Sequence, residues 1–271
     1  LPRGGDEAEV VMKSGTKYQV DGSSNDVGAE ITVQDAAIGE VAIPWRRIEA
    51  IRFKQAPSTV DPTASRLYGS LKSEDFTFEG YIQWDSEECL STDLLNGDSE
   101  DGKLAVEMGK IVSIARNGRK RSDVTLRDGR TVIMNGTNDV DSSIRGIFVE
   151  DARLGRVKVN WDSFDRLDFK EAPGSGPGYD EFKPGGPIRG RVTGADGRTH
   201  SGIIIFDLDE AETWEFLNGN RYDVEYSITF DQLKSIEPRG REASFVKLRN
   251  GADIILEDSQ DVSDRNDGVL I

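Results

Sequence analysis

Cysteine and histidine are nearly missing from this 271-residue sequence, which has one of each, Cys89 and His200. A lone Cys excludes an internal disulfide framework and a Cys-based zinc site, and a lone His excludes a His-rich metal centre. Neither residue has a second group of the kind that nucleophilic catalysis needs. Long apolar runs are absent too. No stretch approaches the ~18–20 residues that cross a bilayer as a helix, so no transmembrane helix is expected. Positive charge is short: 34 Lys+Arg stand against 50 Asp+Glu, a net charge of −16. That balance argues against sequence-independent binding of DNA or RNA, where neutralising phosphates dominates affinity. There is no P-loop, no GxGxxG after a strand, no HExxH and no GxSxG. No window offers a long amphipathic helix.

What is present is self-similarity. Gly80-Tyr81-Ile82-Gln83-Trp84-Asp85 recurs as Gly202-Ile203-Ile204-Ile205-Phe206-Asp207, and Leu95-Asn96-Gly97 as Leu217-Asn218-Gly219. Ser113-Ile114, Gly118-Arg119 and Asp139-Val140 return as Ser235-Ile236, Gly240-Arg241 and Asp261-Val262, always 122 positions on. A second match, 116 positions apart, links Gly39-Glu40-Val41-Ala42-Ile43-Pro44-Trp45 to Gly155-Arg156-Val157-Lys158-Val159-Asn160-Trp161.

Four segments share one apolar spacing: Ile43-x-Trp45-x-x-Ile48-x-x-Ile51, Val106-x-Met108-x-x-Ile111-x-x-Ile114, Val159-x-Trp161-x-x-Phe164-x-x-Leu167 and Ile228-x-Phe230-x-x-Leu233-x-x-Ile236. A period of two predicts a half-buried strand, and the steps of three predict a single 3₁₀ turn leading into a last strand. Asx-Gly pairs at Asp21-Gly22, Asn96-Gly97, Asp128-Gly129, Asn135-Gly136, Asp196-Gly197, Asn218-Gly219 and Asn250-Gly251 predict type I′ hairpins. Many short strands with regular turn signals predict an all-β chain.

The pattern resembles SH3-like and Sm-like small barrels, and the expected fold is a tandem array of them in an internal two-barrel repeat. The expected units are residues 1–57, 66–119, 120–173 and 187–241, with 242–271 a partial fifth barrel or strands completing the fourth. Loose sequence at 58–65 and 174–186 reads as linkers. The fold resemblance is architectural and hosts many functions. Sm-like barrels often bind RNA, and the acidic charge speaks against carrying that activity over. Both ends align with interior positions of the repeat, so the native chain is expected to extend further in at least one direction. Leu1-Pro2-Arg3 with no Met, in an acidic and Cys-poor chain, favours an extracytoplasmic location, periplasmic or secreted.

The residues weighed for function are acidic tips and one aromatic. Trp84-Asp85-Ser86-Glu87-Glu88 matches Phe206-Asp207-Leu208-Asp209-Glu210. As partner contacts the sequence offers Trp84, Asp85, Glu88, Asp207, Glu210 and Trp214, the last with no aromatic counterpart. Trp45 and Trp161 read as core. The alternative is calcium on the oxygen-rich loops Asp21, Asn25 and Asp26; Asn135, Asp139 and Asp141; and Asp261. Calcium takes six to eight oxygens, but these loops lack the Gly and Glu of an EF-hand. No residue set supports catalysis. The expected function is therefore a non-enzymatic interaction or structural subunit docking on another protein or an envelope complex, with peripheral membrane association allowed. Calcium or glycan binding at the acidic tips is the alternative.

Overall fold

The computed structural model describes residues 7–22, 27–35, 37–55, 64–74, 76–174 and 178–271. The chain divides into two compact units, Leu1–Val60 with Pro177–Gly186, and Asp61–Gly176 with Pro187–Ile271. The strands are antiparallel throughout the pairings given below, and the fold is all-β.

In the first unit, β1 (Glu7–Val11) and β2 (Lys17–Asp21) form one hairpin, and β3 (Ile31–Asp35) and β4 (Gly39–Ile43) another. A 3₁₀ turn at Trp45–Arg47 follows β4. Pro44 enters it at φ −59°, the value its ring enforces. Residues 178–186 lie against the turn of the first hairpin through Lys13. Its ammonium sits 3.6 Å from the Tyr179 ring centroid and donates to the carbonyls of Tyr179 and Phe182. Ala8 is the one buried apolar residue among the described residues of this unit.

The second unit holds β5 (Tyr68–Ser73), β6 (Thr77–Gln83), β7 (Leu94–Ser99), β8 (Gly102–Glu107), β9 (Ile111–Arg116), β10 (Arg121–Leu126), β11 (Thr131–Asn135), β12 (Ile147–Asp151), β13 (Gly155–Val159) and β14 (Phe164–Phe169). It continues with β15 (Arg189–Thr193), β16 (Thr199–Ile203), β17 (Ile205–Phe206), β18 (Phe216–Arg221), β19 (Val224–Thr229), β20 (Leu233–Pro238), β21 (Ala243–Leu248), β22 (Asp253–Glu257) and β23 (Val269–Leu270). Fifteen of these strands form one large sheet that does not close, in the order β20-β21-β22-β18-β19-β13-β12-β6-β5-β14-β9-β10-β11-β7-β8. The pairs β15–β16 and β17–β23 stand as separate two-stranded sheets.

Pairing crosses the expected 119/120 boundary. β5 pairs with β14 and β6 with β12, so residues 68–83 find their partners in 147–169. The strands β7 to β11, which lie between in sequence, pair with one another. β18 to β22 repeat those contacts 122 positions later: Leu95↔Val106 becomes Leu217↔Ile228, and Asn135↔Asp98 becomes Glu257↔Asn220.

The predicted apolar spacing points inward in this unit. Met108, Ile111 and Ile114, then Trp161, Phe164 and Leu167, then Phe230 and Leu233 are all buried. The 3₁₀ turns fall at Met108–Lys110 and Phe230–Gln232. Two predicted turns are not turns. Asn96-Gly97 and Asn218-Gly219 lie inside β7 and β18. Glycine serves close approach there instead: a Cβ on Gly97 would crowd Met134 Cε at 3.0 Å, and one on Gly219 would clash with Leu256 Cβ at 2.8 Å.

Candidate functional site

Each acidic tip turns on two successive non-glycine residues with positive φ. These are Asp85 (48°) and Ser86 (62°) after β6, and Asp207 (49°) and Leu208 (67°) after β17. Asp tolerates this left-handed conformation better than most residues do. Trp84 N–H donates to Glu88 O at 2.8 Å and closes the first tip, and Phe206 N–H does the same with Glu210 O at 2.8 Å.

The first tip folds its functional groups inward. Trp84 is fully buried, and its Nε1 donates to the Asp139 carbonyl at 2.8 Å. This corrects its expected place as a partner contact: the indole packs edge-on to Phe164 with ring centroids 5.4 Å apart, so a partner has no access to it. Asp85 is likewise 0% exposed. Arg145 donates to it from the backbone N–H at 2.6 Å and from the guanidinium at 2.9 Å, and Asn138 donates from its side chain. Arg145 also reaches Glu87 at 2.7 Å. A buried carboxylate held by several donors is satisfied and spent. Burial, with Asp139, Asp85 and Glu87 nearby, pushes the Glu88 carboxyl up to about 7.

The second tip keeps the turn and loses the cation. Position 267 aligns with Arg145, and it holds Asp. Asp207 is buried and accepts from the Asp267 backbone N–H. Glu210 has one buried oxygen that no donor reaches. Burial first, then the contact with Asp209 and the charge of Asp261, pushes its carboxyl up to about 8. Sequence reasoning passed over Arg145 and Asp267, although reading across the 122-residue offset exposes the exchange.

The oxygen-rich loops are also turned to internal use. Asp139 is buried, and its Oδ2 accepts from Asn96 N–H at 2.7 Å and Asn96 Nδ2 at 3.1 Å. Asp261 accepts from Asn218 N–H at 2.6 Å. Burial raises the pKa of both carboxyls. Asp141 accepts from the Ser143 N–H at 2.8 Å, Asn135 pairs in β11 with Asp98, and Asp21 ends β2 exposed. Asn25 and Asp26 lie outside the described residues. Among the described residues no group of three or more His, Cys, Asp or Glu side chains is arranged to hold a metal ion. Trp214 is half-buried in the segment before β18.

No family model matches this chain, and no curated protein or solved structure does. The reading of function rests on the chain's own geometry. Cys89 is half-buried, and burial raises its thiol pKa. His200 is exposed in β16. An open groove of about 580 Å³ lies between β12–β13 and the β19–β22 strands, lined by Glu150, Arg156, Thr229 and Arg249 among others. No helix among the described residues is long and apolar enough to cross a membrane.

Proposed function

We propose that this chain is a non-enzymatic structural or docking subunit, assembled from SH3-like barrel modules and working outside the cytoplasm on a protein partner. The observation that carries this reading is large apolar surface left exposed. Ile38 and Phe53 are 74% and 76% exposed, and Ile51 and Val33 in the first unit and Ile203 in the second are exposed as well. Exposed apolar side chains of this kind suit an interaction surface. The acidic tips support the same reading from the other side, because their strongest groups are occupied inside the fold. The acidic exterior suits a partner that is basic at its rim. Isolation of the chain from its source under native conditions, membranes included, tests the reading. Recovery in a stoichiometric assembly supports it; recovery as a free monomer overturns it.

A second reading, calcium binding, is favoured by one observation: Asp267 stands where Arg145 neutralises the first tip. A divalent cation and the Glu210 proton would compete for the same negative charge. Calcium should then raise the melting temperature more at pH 9 than at pH 6, reversibly with a chelator. No change at either pH removes this reading.

A further inference from the structure

The turns that join β9 to β10 and β20 to β21 stand 122 positions apart and share one backbone. Asn117 N–H donates to the Arg121 carbonyl at 2.9 Å, and Arg239 N–H to the Ala243 carbonyl at 2.8 Å. Gly118 and Gly240 carry the two turns at φ 72° and 79°. Ser142 N–H donates to the Arg119 carbonyl at 2.8 Å, and Asp264 N–H to the Arg241 carbonyl at 2.6 Å. The first turn has two further anchors. Trp161 Nε1 donates to the Gly118 carbonyl at 3.0 Å, and Asn117 Nδ2 donates to Asp123 at 2.7 Å.

Their charges differ. The first turn and its flanks hold Arg116, Arg119, Lys120 and Arg121, four cations in six residues. The same six positions of the second hold Pro238, Arg239, Gly240, Arg241, Glu242 and Ala243. Arg241 is there spent on Asp264, whose carboxylate it reaches at 2.5 Å. The counterpart of Asp264 is Ser142, so Arg119 has no such acid. Among the described residues none of the four cations of the first turn forms an ion pair. Arg119, Lys120 and Arg121 are exposed.

An open recess of about 620 Å³ is lined by Arg119, Lys120 and Arg121 together with Asn117, Asn135 and Gly136. Asp141 is the one acid in its lining. The Asp141 carboxylate is engaged nearby, accepting from the Ser143 N–H at 2.8 Å and the Ser143 hydroxyl at 2.5 Å. The backbone N–H groups of Gly118, Arg119 and Lys120 have no acceptor among the described residues. Successive free N–H groups beside a left-handed glycine are the elements of an anion-binding nest. Guanidinium forks match phosphate oxygens two at a time.

We propose that the turn between β9 and β10 is a binding site for a compact, free phosphate-class anion such as pyrophosphate or a phosphate monoester, held in this recess by Arg119, Lys120 and Arg121. The anchored backbone keeps the cations together before the anion arrives, so little ordering is left to binding. The size of the ligand follows from charge. The chain as a whole carries −16, and the field of the turn is screened beyond about 8 Å at physiological ionic strength. A compact anion stays inside that range. A nucleic-acid strand or an anionic bilayer extends past it and meets the acidic remainder of the surface, where like charges repel. The inference goes beyond the structural-subunit reading and does not depend on it.

Titration calorimetry of the full chain with pyrophosphate tests the site. One saturable site is expected, weakening as salt is added. Lys120→Glu with Arg121→Ala copies the residues of the second turn into the first and should lower affinity more than about tenfold. Arg241→Gln removes a cation from the second turn and should leave the affinity unchanged. All three positions are exposed, so the fold is kept in both variants. A parent chain that does not bind pyrophosphate overturns the proposal. So does an affinity that Lys120→Glu with Arg121→Ala leaves as it was, or that Arg241→Gln lowers equally. Single-stranded DNA and phosphatidic acid vesicles are the competing probes. Binding to either one more tightly than to pyrophosphate overturns the compact anion in favour of an extended one.

Discussion

The tip after β6 and the tip after β17 share a turn, a buried Asp at its first position and a buried Asp or Glu set behind it. They differ in how the buried negative charge is countered. At the first, Arg145 places a guanidinium across Asp85 and Glu87. At the second, Asp267 stands in that position, while burial raises the Glu210 carboxyl as it raises that of Glu88 in the first tip. One side chain on a distant loop thus decides whether the buried Asp of the turn gains a guanidinium partner. Asp85 and Asp207 are themselves structural in both, since backbone N–H groups of the facing loop donate to them.

The largest way to break the comparison is Arg145→Met. It leaves Asp85 buried with its main counter-charge gone. The expected loss is about 3 kcal/mol, the low end for a broken buried pair because the Arg145 side chain reaches solvent. Denaturant unfolding at pH 7 measures it, and a loss under about 1 kcal/mol would make the pair ornamental. Next is Trp84→Phe, which copies Phe206 into the first tip. It removes the Nε1 bond and leaves the Asp139 carbonyl without its donor, for an expected cost of about 1–2 kcal/mol.

Glu210→Gln sharpens the comparison through pH. The folded protein binds the Glu210 proton more tightly than the unfolded chain does. The stabilisation is therefore full below the unfolded carboxyl range and drains as pH rises toward about 8. The variant should flatten that slope and gain roughly 1 kcal/mol at pH 9, after discounting for solvent at this half-buried site. Unchanged stability curves from pH 5 to pH 9 in the variant and the parent would show that Glu210 is not protonated. Glu88 follows the same sign with its midpoint at about 7. The smallest effect expected is from Glu87→Ala, an exposed partner of Arg145, at about 0.5 kcal/mol or less.

The strands and their turns were legible wherever a local period existed. The Val159-x-Trp161-x-x-Phe164-x-x-Leu167 spacing is buried as read. Hairpins at Asp128-Gly129 and Asp196-Gly197 turn where the Asx-Gly pairs stand, with glycine φ of 90° and 79°. Asn96-Gly97 misled because a strand glycine that yields room to Met134 looks, in sequence, like a turn glycine. Pairing partners were not legible: nothing local in Tyr68–Ser73 says that it will bond to Phe164–Phe169. Nor was the burial of the acidic tips. Asp85 reads as a surface acid until the strand order brings Asn138 and Arg145 over it.

That strand order also imposes a timetable. Gly69 pairs with Phe169, 100 residues away, while Leu95 pairs with Val106 eleven residues on. During synthesis the strands β7 to β11 can close as a nearby set, but β5 and β6 must wait with an unsatisfied edge until β12 to β14 leave the ribosome. Such late, nonlocal closure slows folding and lengthens exposure to misassembly. The chain meets that interval with Lys72, Glu74 and Glu79 on or beside the waiting strands, charges that discourage a stray strand from bonding there first.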